Sequence, residues 1–337
     1  MNLADRITAF ASLGQRMEAL TAMEMEAITE RARNENAWFT PESVTLAFTG
    51  IRHFLHRTAL EQWTSRYALD VNPTKLVGVA MAGNIPLVGF HDFLCVLMAG
   101  HRLIAKKSSQ DAYLITLLSE WLIDIEPRFK DRIHFEDRLN AAQAMIATGS
   151  DNTARYFEYY FRHLPYIIRK NRSSCAVLMG EEAPALLTEL GKDVFTYFGL
   201  GCRNVSKVYV PEEYDFSTLL RTWEGYASII HHHKYNNNYE YQKSILLVNS
   251  TPFLDNGFVL VTASDRLVSP ISVLFYETYA SQADLNVKLQ QHVDKIQCIV
   301  SANGWYAGSL AFGAAQLPDV GDYADRIDTM KFLTELV

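Results

Sequence analysis

The sequence predicts an α/β protein with two α/β domains, each built on an open parallel-type sheet, behind an N-terminal helical segment. Three observations carry that expectation. From Lys75 onward, short apolar runs alternate with helical patterns at the pitch of strand–helix–strand crossovers, which demand parallel neighbours. The same alternation restarts near Ala176. Before residue 70, apolar residues recur at helical spacing instead.

The elements follow in order. Leu20, Met23, Met25, Ile28 and Ala32 keep helical spacing with charges between them. Thr40-Pro41-Glu42-Ser43 reads as a helix start, with Thr40 as cap and Pro41 in the first position. Phe48, Ile51, Phe54 and Leu55 form the stripe of that helix. Residues 76–81 read as a first strand, 82–86 as a turn, and 87–99 as a nearly all-apolar and therefore buried helix ended by Gly100. A second strand over 102–106, a Ser108-Ser109 cap and a helix over 112–124 come next. Strands over 133–136 and 144–147 follow, then Thr148-Gly149-Ser150 and a helix over 153–162. Ligands of such sheets bind at the carboxyl ends of the strands, where Gly83-Asn84 and Gly149-Ser150 fall. A domain boundary is expected near residues 163–175.

The second unit reads as a strand over 176–179, a helix over 184–198, a strand over 205–210 and a helix over 216–230. Strands are expected over 244–248, 258–262 and 271–276, then a helix over 283–292 and a last strand over 296–300. Residues 231–238, three histidines running into three asparagines, form the clearest loop. No internal repeat or low-complexity tract interrupts the pattern.

Composition narrows the function. Of 337 residues 49% are hydrophobic, enough for a sizeable core, and 20% are charged, too few for a disordered chain. A net charge of −7 argues against a nucleic-acid surface, which needs a basic stripe. The cysteines, Cys95, Cys175, Cys202 and Cys298, are scattered, which suits a reducing compartment and makes the cytoplasm the expected location. No signal-peptide apolar region and no run of about 18 uncharged apolar residues is found, so no membrane span is expected.

Cys202 is the most informative residue. It sits in Phe198-Gly199-Leu200-Gly201-Cys202-Arg203-Asn204, between a helical pattern and a strand. Glycines there let the backbone turn sharply and approach a ligand. Such a thiol can be a nucleophile, activated by a helix end or by Arg203; the alternative is a buried structural cysteine. Asn84, in Gly83-Asn84-Ile85-Pro86, can donate its amide to a developing oxyanion or simply serve turn chemistry. Lys106 at a strand end can hold ribose hydroxyls or phosphate, or be solvated. Thr148-Gly149-Ser150 offers free amides to a pyrophosphate, or an ordinary cap. The G-x-G-x-x-G fingerprint is absent. His231-His232-His233 lacks metal-ligand spacing, because three consecutive side chains diverge, so no metal site is expected. Asp319, Asp322, Asp325 and Asp328 read as a capped, solvated turn before a helix over 330–336.

Five stretches together resemble the aldehyde dehydrogenase superfamily, and more narrowly its LuxC-type acyl-CoA reductases, the fatty-acid reductases. They are 81–86 (Met-Ala-Gly-Asn-Ile-Pro), 104–111 (Ile-Ala-Lys-Lys-Ser-Ser-Gln-Asp), 147–150 (Ala-Thr-Gly-Ser), 201–204 (Gly-Cys-Arg-Asn), and the closing 313–318 (Gly-Ala-Ala-Gln-Leu-Pro) with Asp322, Asp325 and Asp328. The resemblance spans residues 70–335. It implies an aldehyde dehydrogenase-like fold. Residues 1–70 are then a helical segment, 71–170 a Rossmann-like cofactor-binding domain completed by C-terminal segments, 171–310 a catalytic-cysteine domain and 311–337 a C-terminal segment.

It also implies roles. Cys202 matches the nucleophile that forms a thioester, and Asn84 the oxyanion-hole asparagine, with the Cys202 amide as second donor. Lys106, Ser108, Gly149 and Ser150 match positions that hold the ribose and phosphates of NADPH or NADH. Two departures stand out. An apolar residue of 177–182 (Val-Leu-Met-Gly-Glu-Glu) replaces the general-base glutamate of thioester-hydrolysing relatives, with Glu181 and Glu182 close by. Leu267-Val268-Ser269-Pro270 replaces the glutamate that holds the nicotinamide ribose. The implied activity is reduction of an acyl-CoA thioester to the aldehyde. The alternatives are reduction of an acyl phosphate, or a non-catalytic acyl- or cofactor-binding homologue. A homodimer is expected, with 258–262 and the final strand as contact candidates.

Overall fold

The computed structural model describes residues 1–69, 74–149 and 151–336. It divides into two units: Met1–Asn171 with Pro318–Val337, and Arg172–Leu317. The first unit opens with α1 (Leu3–Glu18), α2 (Ala22–Glu35), α3 (Pro41–Phe54) and α4 (Arg57–Thr64). Each of the first three starts where a side chain satisfies the orphan amides of the first turn. Asn2 accepts the Asp5 amide, Thr21 and Glu24 form a reciprocal capping box, and Thr40 accepts the Ser43 amide ahead of Pro41, as expected. Then come β1 (Leu76–Ala80), α5 (Phe90–Met98), β2 (Arg102–Lys106), α6 (Tyr113–Ile125), β3 (Ile133–Phe135), β4 (Ala144–Thr148), α7 (Asp151–Phe161) and β5 (Tyr166–Arg169).

The strands form one parallel sheet in the order β3-β2-β1-β4-β5. The chain builds outward from β1 to β3, then returns to the other side, so a crossover switch lies between β1 and β4. A central strand such as β1 is apolar along its length because both faces are covered. The N-terminal helices are not an appendage. Phe10, Leu13, Phe39, Phe48 and Trp63 share one core with Phe90 and Phe93 of α5 and Val77 and Val79 of β1.

The second unit contains β6 (Ser173–Val177), α8 (Pro184–Phe195), β7 (Val205–Pro211), α9 (Ser217–Thr222), α10 (His233–Val248), β8 (Leu254–Asp255), β9 (Leu260–Ala263), β10 (Val273–Tyr279), α11 (Gln282–Gln290), β11 (Ile296–Ser301) and β12 (Leu310–Ala311). Its sheet order is β12-β11-β6-β7-β10-β9-β8, with only the short β8 antiparallel to its neighbour. The main core gathers Leu187, Leu190, Phe195, Val208, Val210 and Trp223.

The chain then returns to the first unit as α12 (Thr329–Thr334). Asp328 caps it by accepting the Lys331 amide at 2.8 Å, as the acidic turn predicts, and Met330 and Leu333 enter the first core. Buried Arg169, at the end of β5, donates to Asp92 of α5 at 2.5 Å and to Thr329 at 2.7 Å. One guanidinium thus ties the last strand to α5 and α12.

Several expectations are corrected. Residues 231–238 are not a loop, and 244–248 are not a strand; both lie in 3-10 turns and α10. His232 caps that helix by accepting the Tyr235 amide, and buried Tyr235 and Tyr239, one turn apart, anchor it while Asn237 faces outward. The helix expected over 216–230 is α9 followed by 3-10 turns over Trp223–His231. β5 falls inside the expected boundary. Residue 87 does not start a helix: Leu87 is left-handed, and α5 begins at Phe90. Ser108 and Ser109 do not cap α6. Glu35 of α2 accepts the Ala112 and Tyr113 amides at 3.1 and 2.9 Å instead. Phe258 through Thr262 are buried, and β9 is paired on both sides, so that stretch presents no surface for a dimer contact. The strand expected over 296–300, β11, is likewise flanked by β6 and β12. Among the described residues no helix is long and apolar enough to cross a membrane.

Candidate active site

Cys202 lies in the turn between α8 and β7, and the backbone leading to it is bent hard. α8 stops at Phe195, and Tyr197, Phe198 and Gly199 are left-handed with φ of 51°, 58° and 78°. Only the glycine adopts that region without strain, so the surroundings must hold the other two. Asn204 is the clamp. It is 1% exposed; its Oδ1 accepts the Gly201 amide at 2.8 Å, and its Nδ2 donates to the carbonyls of Asp193 at 3.0 Å and Thr196 at 2.8 Å. These are orphan carbonyls of the helix end. One amide therefore closes the loop on both sides of Cys202.

Asp193, fully buried in α8, accepts the amides of Gly313 and Ala315 and so fixes the returning chain. Burial pushes its carboxyl up to about 6, against those two amides, which lower it. The Cys202 side chain is half-buried and in no disulfide, and the Cys202 carbonyl accepts the Ser174 hydroxyl at 3.0 Å. The helix that runs into this turn, α8, presents its partially negative C-terminus to it. Arg203 is the adjacent cation, with Nη1 3.5 Å from the Ala315 carbonyl.

A cavity of about 30 Å³ adjoins the turn, lined by Phe198, Gly199, Val205, Tyr235, Ser269 and Ile271 among others. It has room for about two waters. The His232 ring packs at a tilt on Phe198 at 4.4 Å and stacks on His233 at 5.3 Å, so His232 packs against the turn.

The stretch over 177–182 is equally informative. Leu178 is buried and Gly180 is left-handed. Of the two carboxylates that follow the vacated base position, Glu181 is exposed and Glu182 accepts the amides of Met179 and Gly180. In the stretch over 267–270, Leu267 is buried and the Ser269 hydroxyl donates to the Val273 carbonyl at 2.6 Å.

In the first unit, Lys106 is the last residue of β2, and Asn84, Ser108 and Gly149 follow the carboxyl ends of β1, β2 and β4. Asn84 and Lys106 are exposed. Gly83 sits so close to Ser108 that a Cβ would lie 2.4 Å from its hydroxyl, so this edge is closely packed where β1 and β2 end. A Cβ on Gly149 would lie 2.9 Å from Thr153 of α7. Ser150 lies outside the described residues.

The turn bearing Asn84 is held by Asp111. Its Oδ2 accepts the amide of left-handed Leu87 at 2.6 Å, and its Oδ1 is buried without a partner among the described residues. Burial raises the Asp111 carboxyl to about 7, with Glu35 adding to the rise and the Leu87 amide opposing it. Cys202 belongs to the other unit, at the amino end of β7. Sequence reasoning missed Asp111, Asp193 and Ser174 as supports. Their partners lie 24, 120 and 28 residues away, so no local spacing signals them.

No protein-family model matches the chain, and no curated protein matches it in sequence. Solved structures do match. An aldehyde dehydrogenase from Bacillus cereus in its NAD+ complex superposes with TM-score 0.65 at 12% identity, covering 89% of this chain and 72% of that one. One from Mycobacterium tuberculosis complexed with NAD+ gives 0.64 at 12%, covering 89% and 73%. Aldehyde dehydrogenase 21 from Physcomitrella patens, in complex with the reaction product succinate, gives 0.63 at 14%, covering 99% and 88%. The fold is therefore that of aldehyde dehydrogenases, as the sequence predicts.

Proposed function

We propose that this chain is a reductase that uses a nicotinamide cofactor to convert an acyl-CoA to the aldehyde through an acyl-enzyme on Cys202. The observation that carries the reading is a presented thiol combined with a committed carboxylate. Cys202 is half-buried on a clamped, glycine-flanked turn in an aldehyde dehydrogenase fold, while Glu182 is engaged by two backbone amides. A carboxylate so engaged is a poor base for water, and an apolar residue stands at the base position itself, which favours a thioester on Cys202 that outlives hydrolysis.

The Cys202 thiolate attacks the acyl carbonyl carbon, a new C–S bond forms, and the bond to the CoA sulfur breaks as CoA thiolate leaves. We assign Asn84 and the Cys202 amide as donors to the oxyanion. The carboxyl edge of the first sheet suits a dinucleotide: a crossover switch between β1 and β4, an exposed lysine and a serine hydroxyl beside it. Lys106, Ser108 and Gly149, with Ser150, are assigned to the ribose and phosphates of NADPH or NADH. When bound there, the cofactor supplies the hydride that reduces the acyl group. Release of aldehyde returns Cys202 as thiolate.

The test is steady-state turnover of octanoyl-CoA with NADPH, with trapping of octanal. One aldehyde per cofactor oxidised, lost in Cys202→Ala, is expected. Faster turnover of octanoyl phosphate than of octanoyl-CoA would move the substrate to acyl phosphates, and undiminished turnover by Cys202→Ala would end the mechanism.

A further inference from the structure

The fully buried hydroxyl of Ser174 meets three groups. It donates to the Cys202 carbonyl at 3.0 Å, lies 3.0 Å from Cys298 Sγ, and accepts the Cys298 amide at 3.2 Å. A hydroxyl has one proton and two lone pairs. The Cys202 carbonyl can only accept, so the proton is committed to it. The Cys298 amide takes one lone pair. The sulfur contact is then satisfied only with the thiol as donor. The bond directions follow without remainder: Cys298 S–H to Ser174 O–H to Cys202 C=O. Strand pairing brings the three together. Ser174 on β6 stands opposite Val205, the residue that enters β7 three positions after Cys202. Cys298 lies on β11, within the irregularity between Ile296 and Ile299 where that strand pairs with β6.

We propose that Ser174 and Cys298 are positioning residues for Cys202: they hold the 202–203 peptide and with it the base of the nucleophilic side chain. The inference rests on the reading of Cys202 as nucleophile. It gives the half-buried Cys298 thiol a role as proton donor that a serine hydroxyl can fill and a methyl group cannot. A Cys298 that has lost its proton, or carries an alkyl group, withdraws the donor and frees the chain of hydrogen bonds to rearrange.

The full-length chain and its Ser174→Ala, Cys298→Ala and Cys298→Ser variants test this with two readouts. One is the pH dependence of Cys202 alkylation by iodoacetamide, located by peptide mapping. The other is octanoyl transfer from octanoyl-CoA as a function of its concentration. Ser174→Ala and Cys298→Ala are expected to slow transfer at saturation about tenfold, a 1.4 kcal/mol effect, with the half-saturating concentration unchanged. They also displace the midpoint of alkylation, whereas Cys298→Ser keeps both values. If Ser174→Ala fails to fold, the two Cys298 variants decide alone. Wild-type behaviour of Cys298→Ala, or equal loss in Cys298→Ser, overturns the inference. Should the wild type be alkylated at Cys202 yet take no octanoyl group, the acyl-CoA reading fails, and alkylation still decides the positioning role.

Discussion

Asn204 concentrates the cost of presenting Cys202 in one side chain. Asn204→Ala leaves the Gly201 amide and two carbonyls of the α8 end without their partner in a buried turn. Each orphaned group costs about 1–3 kcal/mol. We therefore expect urea unfolding of the variant to show a loss of at least about 2 kcal/mol, and a loss below 0.5 kcal/mol (roughly the level of a neutral surface change) would contradict the clamp. Asp111 makes a prediction in pH. Its carboxyl ordinarily titrates near 3.8, and burial raises it to about 7 in the folded chain. Between those values the native state holds a proton that the unfolded state has released, so stability falls as pH rises. The contribution is complete below about pH 4 and gone above about pH 7, an effect on the order of 4 kcal/mol. Asp111→Asn, neutral throughout, should gain on the wild type across that window. Parallel pH–stability curves for the two proteins would refute it. The sharp turn that carries Cys202 was legible in the sequence because Gly199 and Gly201 lie in it. Asp111 and Ser174 were not, because an aspartate or serine becomes informative only when a distant strand or turn supplies its partner.

Arg169 shows how far one strand end can reach. Asp92→Ala would strand its buried guanidinium, and breaking such a pair costs about 3–5 kcal/mol. The expected result is a lowered midpoint for the first unit in thermal unfolding, and an unchanged midpoint would mean that the pair does not join β5 to α5. The strands over 76–80 and 102–106 were legible because residues covered on both faces leave near-continuous apolar runs. β5 was not. It is an edge strand in which only Ile167 and Arg169 are buried, so its pattern reads as a charged connector. α10 was misread for the opposite reason. Its polar asparagines imitate a loop and its apolar end imitates a strand, and only two buried tyrosines hold it as a helix. α6 begins under Glu35, a cap supplied by another helix, which no window around Ser108 can reveal.

Each unit closes around its own sheet and core, and the first is completed by a segment that returns after the second. The alternation of strands and helices made that two-sheet plan readable, and the match to aldehyde dehydrogenases at 12–14% identity follows from pattern rather than residue identity. The chemistry depends on fewer residues. The central claim is that Cys202 accepts an acyl group, and intact mass after mixing the protein with octanoyl-CoA in the absence of cofactor tests it most directly. One octanoyl group on the wild type and none on Cys202→Ala is the predicted result. An unmodified wild type, or an adduct that persists in Cys202→Ala, would contradict it.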